Sequence, residues 1–197
     1  MTGKKFLDPA VLGEALAQVA ELATQEGVRI ALLGGFALQH YGSDRLTGNI
    51  DIVAERLVRG LPRGTALSFG GEQSEAPNGV PVEVVVRSDD FAPLYRDALE
   101  QALRVEGLGL AVPLVRREYL VPMKMVAGRA RDKTDLEFLI LSDRIVQHHL
   151  GPISIRSTGT DRSNTRRIVH QHLGPYAARE WDRLVAETDW KASRGLL

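Results

Sequence analysis

Apolar residues recur at Val11, Leu12, Ala15, Leu16, Val19, Ala20 and Ala23, the spacing of one helix face. Asp8 followed by Pro9 gives that helix a capping carboxylate and a proline in its first turn, and Gly27 closes it. The period then changes. Val28 to Leu33 is a short apolar run stopped by Gly34-Gly35, which reads as a buried strand. Phe36 to Tyr41 reads as a short helix closed by Gly42. Asn49 to Val53 alternates polar and apolar, as a half-buried strand does. Ala66 to Phe69 fits another short strand. Residues 70–79 read as a loop, with Asn78-Gly79 as a hairpin turn signal. Val80 to Arg87 alternates again, with Val82, Val84 and Val86 on one face and Glu83 and Val85 on the other.

Phe91 to Leu103 reads as a helix with Ser88, Asp89 or Asp90 as its cap, and residues 105–115 carry a weak strand pattern. Helical periodicity dominates from there, over 121–130, 133–142 and 143–149. Residues 151–162 read as irregular, and helices resume at 163–172 and 176–188. Strands before about residue 115 and helices after it predict an α+β fold, a mixed sheet flanked by helices with a helical C-terminal part.

Composition narrows the chemistry. The 197 residues suit one domain, or one domain with a small helical extension. The absence of cysteine excludes disulfides, zinc–thiolate sites and thiol catalysis together. There is no apolar run of about 18 residues, the length of a membrane span. The opening MTGKKFLDPAVLGEALAQVAEL lacks the continuous apolar core of a signal peptide, so a soluble, cytoplasmic protein without a membrane partner is expected. Net charge is zero, but residues 1–100 hold nine basic and fourteen acidic residues, and residues 101–197 hold sixteen and eleven. Such an asymmetry suits a metal site beside a polyanion site, and equally two halves that attract each other.

Residues 32–53 carry the candidate chemistry. A glycine pair closing a buried strand and opening a helix lets a phosphate approach the backbone. Asn49 and Asp51 fall on one face of the following strand, because side chains alternate with period two. Glu83 has the alternation to add a carboxylate from a neighbouring strand. Carboxylates so grouped hold paired Mg²⁺ ions in sites that activate a hydroxyl and stabilise a leaving pyrophosphate.

The strand ending in Gly34-Gly35, the spacer 36–48 and the strand Asn49-Ile50-Asp51-Ile52 resemble the signature of the polymerase-β-like nucleotidyltransferase superfamily. Arg45 and Thr47, with the run Met123 to Leu136, resemble its abortive-infection branch, which includes type IV toxin–antitoxin toxins. The resemblance covers roughly residues 28–140. It implies a nucleotidyltransferase core over 1–115 and a helical part over 116–197 that completes the pocket. It implies Asn49, Asp51 and Glu83 as metal-binding and catalytic positions, with two Mg²⁺ ions if the site is active. Gly34, Gly35, Arg45, Thr47, Lys124 and Asp135 would bind the nucleotide, with Lys124 on its phosphates. The substrate would be a nucleoside triphosphate, the acceptor a hydroxyl on RNA, protein or a small molecule, and an antitoxin-like protein a partner.

One position departs from this pattern. Asn49 stands where the signature has aspartate, and an amide oxygen brings no charge. Every ~1.4 kcal/mol of lost transition-state stabilisation is tenfold in rate, so one missing carboxylate lowers activity by orders of magnitude. Attenuated transfer, a natural pseudoenzyme that binds a nucleotide or a partner, and a deliberately disabled sequence all fit. The five histidines form no metal-ligand spacing; His40 lies near the glycine turn, where partial burial beside Tyr41 explains it as well as nucleotide contact. Lys124 and Asp135 share a face only in an unbroken helix, and Asp132 as a cap predicts a break near 131–132. Arg156, Arg162, Arg166 and Arg167 suit an RNA-facing patch or a solvated basic face.

Overall fold

Residues 6–104, 110–149 and 162–197 are described by the computed structural model. The chain divides into two compact units, Met1–Arg116 and Arg117–Leu197. Together they make an α+β protein in which strands belong to the first unit and the second is helical.

The first unit begins with α1 (Pro9–Gln25), whose first turn is capped by the Asp8 carboxylate accepting from the Ala10 N–H at 2.8 Å. Such a cap contributes about 1 kcal/mol. Its apolar stripe, Leu12, Ala15, Leu16, Val19 and Ala23, is buried as the periodicity predicts. Five strands follow: β1 (Ile30–Leu33), β2 (Ile50–Ala54), β3 (Thr65–Ala66), β4 (Gly71–Glu75) and β5 (Pro81–Val85). They form one sheet in the order β1-β2-β5-β4-β3, antiparallel except for the parallel pair β2 and β5. Residues 113–115 run beside β1, with Leu32 N–H donating to Pro113 O and Val115 N–H to Leu32 O. Of the weak strand read at 105–115, residues 105–109 lie outside the described residues.

The ladder register sorts side chains to two faces. Leu32, Ile52, Val84 and Glu72 form one row, and Ile50, Val82 and Ser74 the next, all buried. Leu33, Asp51, Glu83 and Gln73 form a row on the opposite face. Strand β4 lies inside the stretch read as a loop. Its inward residues are Glu72 and Ser74, so no apolar alternation marks it. They are satisfied locally: the Ser74 hydroxyl donates to Pro62 O at 2.6 Å, and Glu72 pairs with Arg63 at 3.4 Å. The turn after β4 does carry Asn78-Gly79, as predicted. Helix α2 (Gly34–His40) begins at the glycine pair itself, two residues earlier than the sequence pattern suggests, and α3 (Ala92–Glu100) is shorter than predicted.

The second unit holds α4 (Arg117–Ala127), α5 (Ala130–His149) and α6 (Arg162–Ser193). Helix α4 starts four residues before the expected position and contains Pro122, and α5 runs through the expected division at 142–143. The irregular stretch read at 151–162 lies outside the described residues except for Arg162. Helix α6 is interrupted at Gly174, whose φ of 84° and ψ of 178° suit glycine alone, and Pro175 follows. Arg166 pairs with Asp182 and Arg162 with Asp189, separations of 16 and 27 residues. A straight helix would hold those pairs about 24 and 40 Å apart. The chain therefore doubles back at Gly174 into a helical hairpin, in keeping with the two helices read from sequence. Exposed ion pairs contribute at most about 1 kcal/mol each. The larger contribution comes from apolar burial: Ile168, Val169, Ala178 and Trp181 are at most 3% exposed, and α6 packs against α4 and α5. No described helix is long and apolar enough to cross a membrane.

Replacing Gly174 with alanine forces a Cβ into a region that L residues avoid. The Gly174→Ala chain should lose about 1–3 kcal/mol of stability in a urea titration followed by circular dichroism. An unchanged midpoint would mean that the hairpin does not depend on this bend.

Candidate active site

The register places Asp51 of β2 opposite Glu83 of β5, and neighbouring strands stand about 4.8 Å apart. Both carboxylates are half-buried on the same face. Gln73 continues the row on β4 and is exposed. No sequence signal pointed to Gln73, because β4 itself was not legible.

The end of β1 meets this row from the other side. Gly34 has φ +73°, and a Cβ on it would lie 1.9 Å from Asp51 Oδ2. Only glycine permits this approach. The Gly35 N–H donates to the same oxygen over a long 3.4 Å. The other carboxylate oxygen, Oδ1, accepts from Asn49 Nδ2 at 2.7 Å. An ionised carboxylate cannot donate, so the amide must turn its NH₂ toward Asp51 and its oxygen away. That oxygen lies 3.2 Å from the Thr47 hydroxyl, which is also 3.3 Å from the Asn49 carbonyl. Thr47 is 2% exposed, so this hydroxyl is fixed in the interior rather than offered to a ligand.

Arg45 completes the surroundings. A Cβ on Gly35 would lie 3.4 Å from the Arg45 guanidinium carbon, so that cation lies close over the glycine turn. Its backbone is anchored on both sides: its N–H donates to Ser43 Oγ at 3.2 Å, and its carbonyl accepts from Gln39 Nε2 at 2.7 Å. His40 packs edge-on to Phe36 with ring centroids 4.9 Å apart, and its Nε2 has no partner among the described residues. Burial pushes its pKa down, which favours the neutral imidazole. Tyr41 donates its hydroxyl to Val115 O at 2.9 Å.

A pair of divalent ions asks for three carboxylates, and these side chains offer two. The third position carries an amide whose positive end is already turned to Asp51. Among the described residues, no group of three or more His, Cys, Asp or Glu is placed to hold a metal ion. The face as it stands therefore does not fit a two-ion cluster.

Within the second unit, Lys124 and Asp135 meet each other. Helix α4 ends at Ala127, Gly128 takes a left-handed conformation, and α5 begins at Ala130. The helix break thus falls at 128–129, three residues before the predicted place. This turn brings Asp132 and Asp135, neighbours on one face of α5, against the Lys124 ammonium at 3.1 and 2.6 Å. All three are buried. Asp132 does more than cap: its carboxylate also accepts from the Arg129 N–H at 3.0 Å and from Arg129 Nε at 2.8 Å. Burial raises the Asp132 pKa, but the Arg129 hydrogen bonds and the Lys124 charge outweigh it and hold the carboxyl below its ordinary value. Of the arginines read as an RNA-facing patch or a solvated basic face, Arg162 and Arg166 pair with Asp189 and Asp182, and Arg167 bonds to Asn164 and Gln171. Arg156 lies outside the described residues.

No family model matches the sequence, and no curated protein matches it either. Among solved structures, the chain is similar to an antigenic nucleotidyltransferase-like protein from Paracoccidioides brasiliensis. The TM-score is 0.50 at 18% identity, covering 88% of this chain and 94% of that one. The likeness is one of fold, and it agrees with a nucleotidyltransferase-type α+β architecture.

Replacing Lys124 with methionine leaves two buried carboxylates without their shared cation. The Lys124→Met chain should lose about 3–5 kcal/mol in denaturant titrations at pH 7. Asp132 is held below its ordinary value of 3.8, so its contribution is present above that pH and disappears as pH falls through the lower native value. Acid titration should therefore narrow the gap between the natural chain and Lys124→Met below about pH 4. Equal losses at every pH would rule out the carboxylates as the cause.

Proposed function

We propose that the chain is a nucleotidyltransferase-like protein that binds a nucleoside triphosphate over the Gly34-Gly35 turn, beside Asp51 and Glu83. The observation that supports this reading most is the alignment of two carboxylates from adjacent parallel strands against a turn only glycine can make. Arg45, lying over that turn, suits the negative charge of the phosphates. The triphosphate is taken as its magnesium complex.

In the transfer, an acceptor hydroxyl oxygen bonds to the α-phosphorus. The bond from that phosphorus to the bridging oxygen breaks, and pyrophosphate leaves with the electron pair. The hydroxyl proton passes to a carboxylate of the Asp51–Glu83 pair. The acceptor is a hydroxyl on RNA or protein. Membership of the toxin–antitoxin branch, with an antitoxin-like protein partner, extends the same reading. Asn49 attenuates the reaction, because developing negative charge meets an amide where a metal-bound carboxylate would be most useful.

The hydrogen bond from Asn49 to Asp51 favours a second reading, a catalytically silent protein that retains nucleotide binding. One experiment separates the two. The four ribonucleoside triphosphates with Mg²⁺ are titrated calorimetrically into the natural chain and into Asn49→Asp, and both are assayed for nucleotide transfer. Attenuated transfer predicts weak activity in the natural chain and a gain of at least about a hundredfold in Asn49→Asp. Binding without transfer in either form selects the silent reading. Failure of both forms to bind any triphosphate sinks the nucleotide reading altogether.

A further inference from the structure

We infer that the helical unit carries a ligand site of its own: a cavity between α4, α5 and the second arm of α6 takes an uncharged amphipathic molecule ending in a carbonyl group, and Lys124 is the donor to that carbonyl. Nothing in this depends on the triphosphate site proposed above.

The cavity measures about 330 Å³, at the lower end of the 300–1,000 Å³ of small-molecule sites. Leu136 and Ile140 of α5 and Leu184 of α6 give it apolar walls. Lys124 lines it as well, although its side chain is only 8% exposed. An ammonium carries three N–H donors. Asp132 Oδ1 and Asp135 Oδ2 accept from it at 3.1 and 2.6 Å, and no described residue accepts a third bond. A buried donor without an acceptor is costly, so a ligand oxygen that reaches Lys124 gains a charge-assisted hydrogen bond.

The same surroundings select against a charged head group. Two carboxylates already flank Lys124, so an anion there would be the third around one ammonium. A cation would stand beside Lys124 itself. The other charges lining the cavity pair with one another: Lys191 joins Glu137 of α5 to Glu187 of α6 at 2.8 and 2.9 Å, and Arg183 joins Glu187 to Glu180. Lys133 is exposed, and its charge acts on Glu187. A neutral carbonyl oxygen satisfies Lys124 without a like-charge penalty, and an aliphatic chain behind it covers the leucine and isoleucine walls.

The test is a methyl-resolved NMR titration of the full chain with hexanamide, hexanoate and hexylamine, which share one aliphatic chain and differ in charge. Hexanamide should shift the methyl signals of Leu136, Ile140 and Leu184 along one saturable curve. It should bind at least about tenfold tighter than either charged probe. Leu184→Trp, which fills the cavity, should abolish the shifts. Should that variant fail to fold, nuclear Overhauser contacts in the natural chain decide. The hydrogens next to the amide carbonyl should contact the Lys124 ε-hydrogens, and the terminal methyl should contact Leu184. The inference is overturned if no saturable shifts appear, if the three probes bind equally, if shifts persist in a folded Leu184→Trp chain, or if the amide end lies away from Lys124.

Discussion

The approach of a glycine to a carboxylate organises the first unit. Gly34 brings the end of β1 so close to Asp51 that a single added carbon would collide with it. The distance requires that the chain turn with a positive φ directly after the strand, that α2 begin there, and that β2 present Asp51 at that level of the sheet. The register does the rest: Leu33 faces Asp51, and Asp51 faces Glu83. The apolar rows on the opposite face fix that register, because a slip of one residue would turn Ile50, Ile52, Val82 and Val84 out of the core. Burial of ordinary valines and isoleucines thus determines where two carboxylates stand.

The parts legible in the sequence are those where one physical rule acts alone. Helix α1 shows its period, its cap and its terminating glycine. Strands β2 and β5 show alternation, which placed Asp51 and Glu83 on shared faces before any coordinates. Strand β4 was not legible because its inward positions are Glu72 and Ser74, whose burial rests on a partner in the segment before β3 that no local pattern announces. The break between α4 and α5 was placed by the capping ability of Asp132, whereas the left-handed Gly128 decides it. The ion pair of Lys124 with Asp135 was not legible for a related reason: a break between the helices removes their shared face, and it is the tight turn at Gly128 that brings them together. At the site itself, sequence showed that Asn49 lacks a charge, but not that its amide would be fixed by Thr47 and turned toward Asp51.

The two units handle buried charge differently. In the first, the Asn49 amide and the Gly35 N–H are among the groups that meet the half-buried Asp51 carboxylate. In the second, two carboxylates share Lys124, and Arg129 adds hydrogen bonds from a more exposed position. Buried ion groups of this kind contribute little net stability relative to apolar packing, but losing one member is costly. The Lys124 cluster holds its members to one another.

The helical hairpin of α6 has a consequence for how this chain can vary over evolutionary time. Its arms meet in antiparallel register about a bend of fixed position, with the buried Val169 and Trp181 between that bend and the nearer ion pair, Arg166–Asp182. Each residue advances a helix by about 100°. A single insertion or deletion between Gly174 and either member of the pair Arg166–Asp182 would rotate the rest of that arm by about 100° and part both ion pairs at once. Substitutions on the outer surfaces disturb neither. Lineages descended from this sequence should therefore diverge freely in composition along the hairpin while keeping the lengths of its two arms.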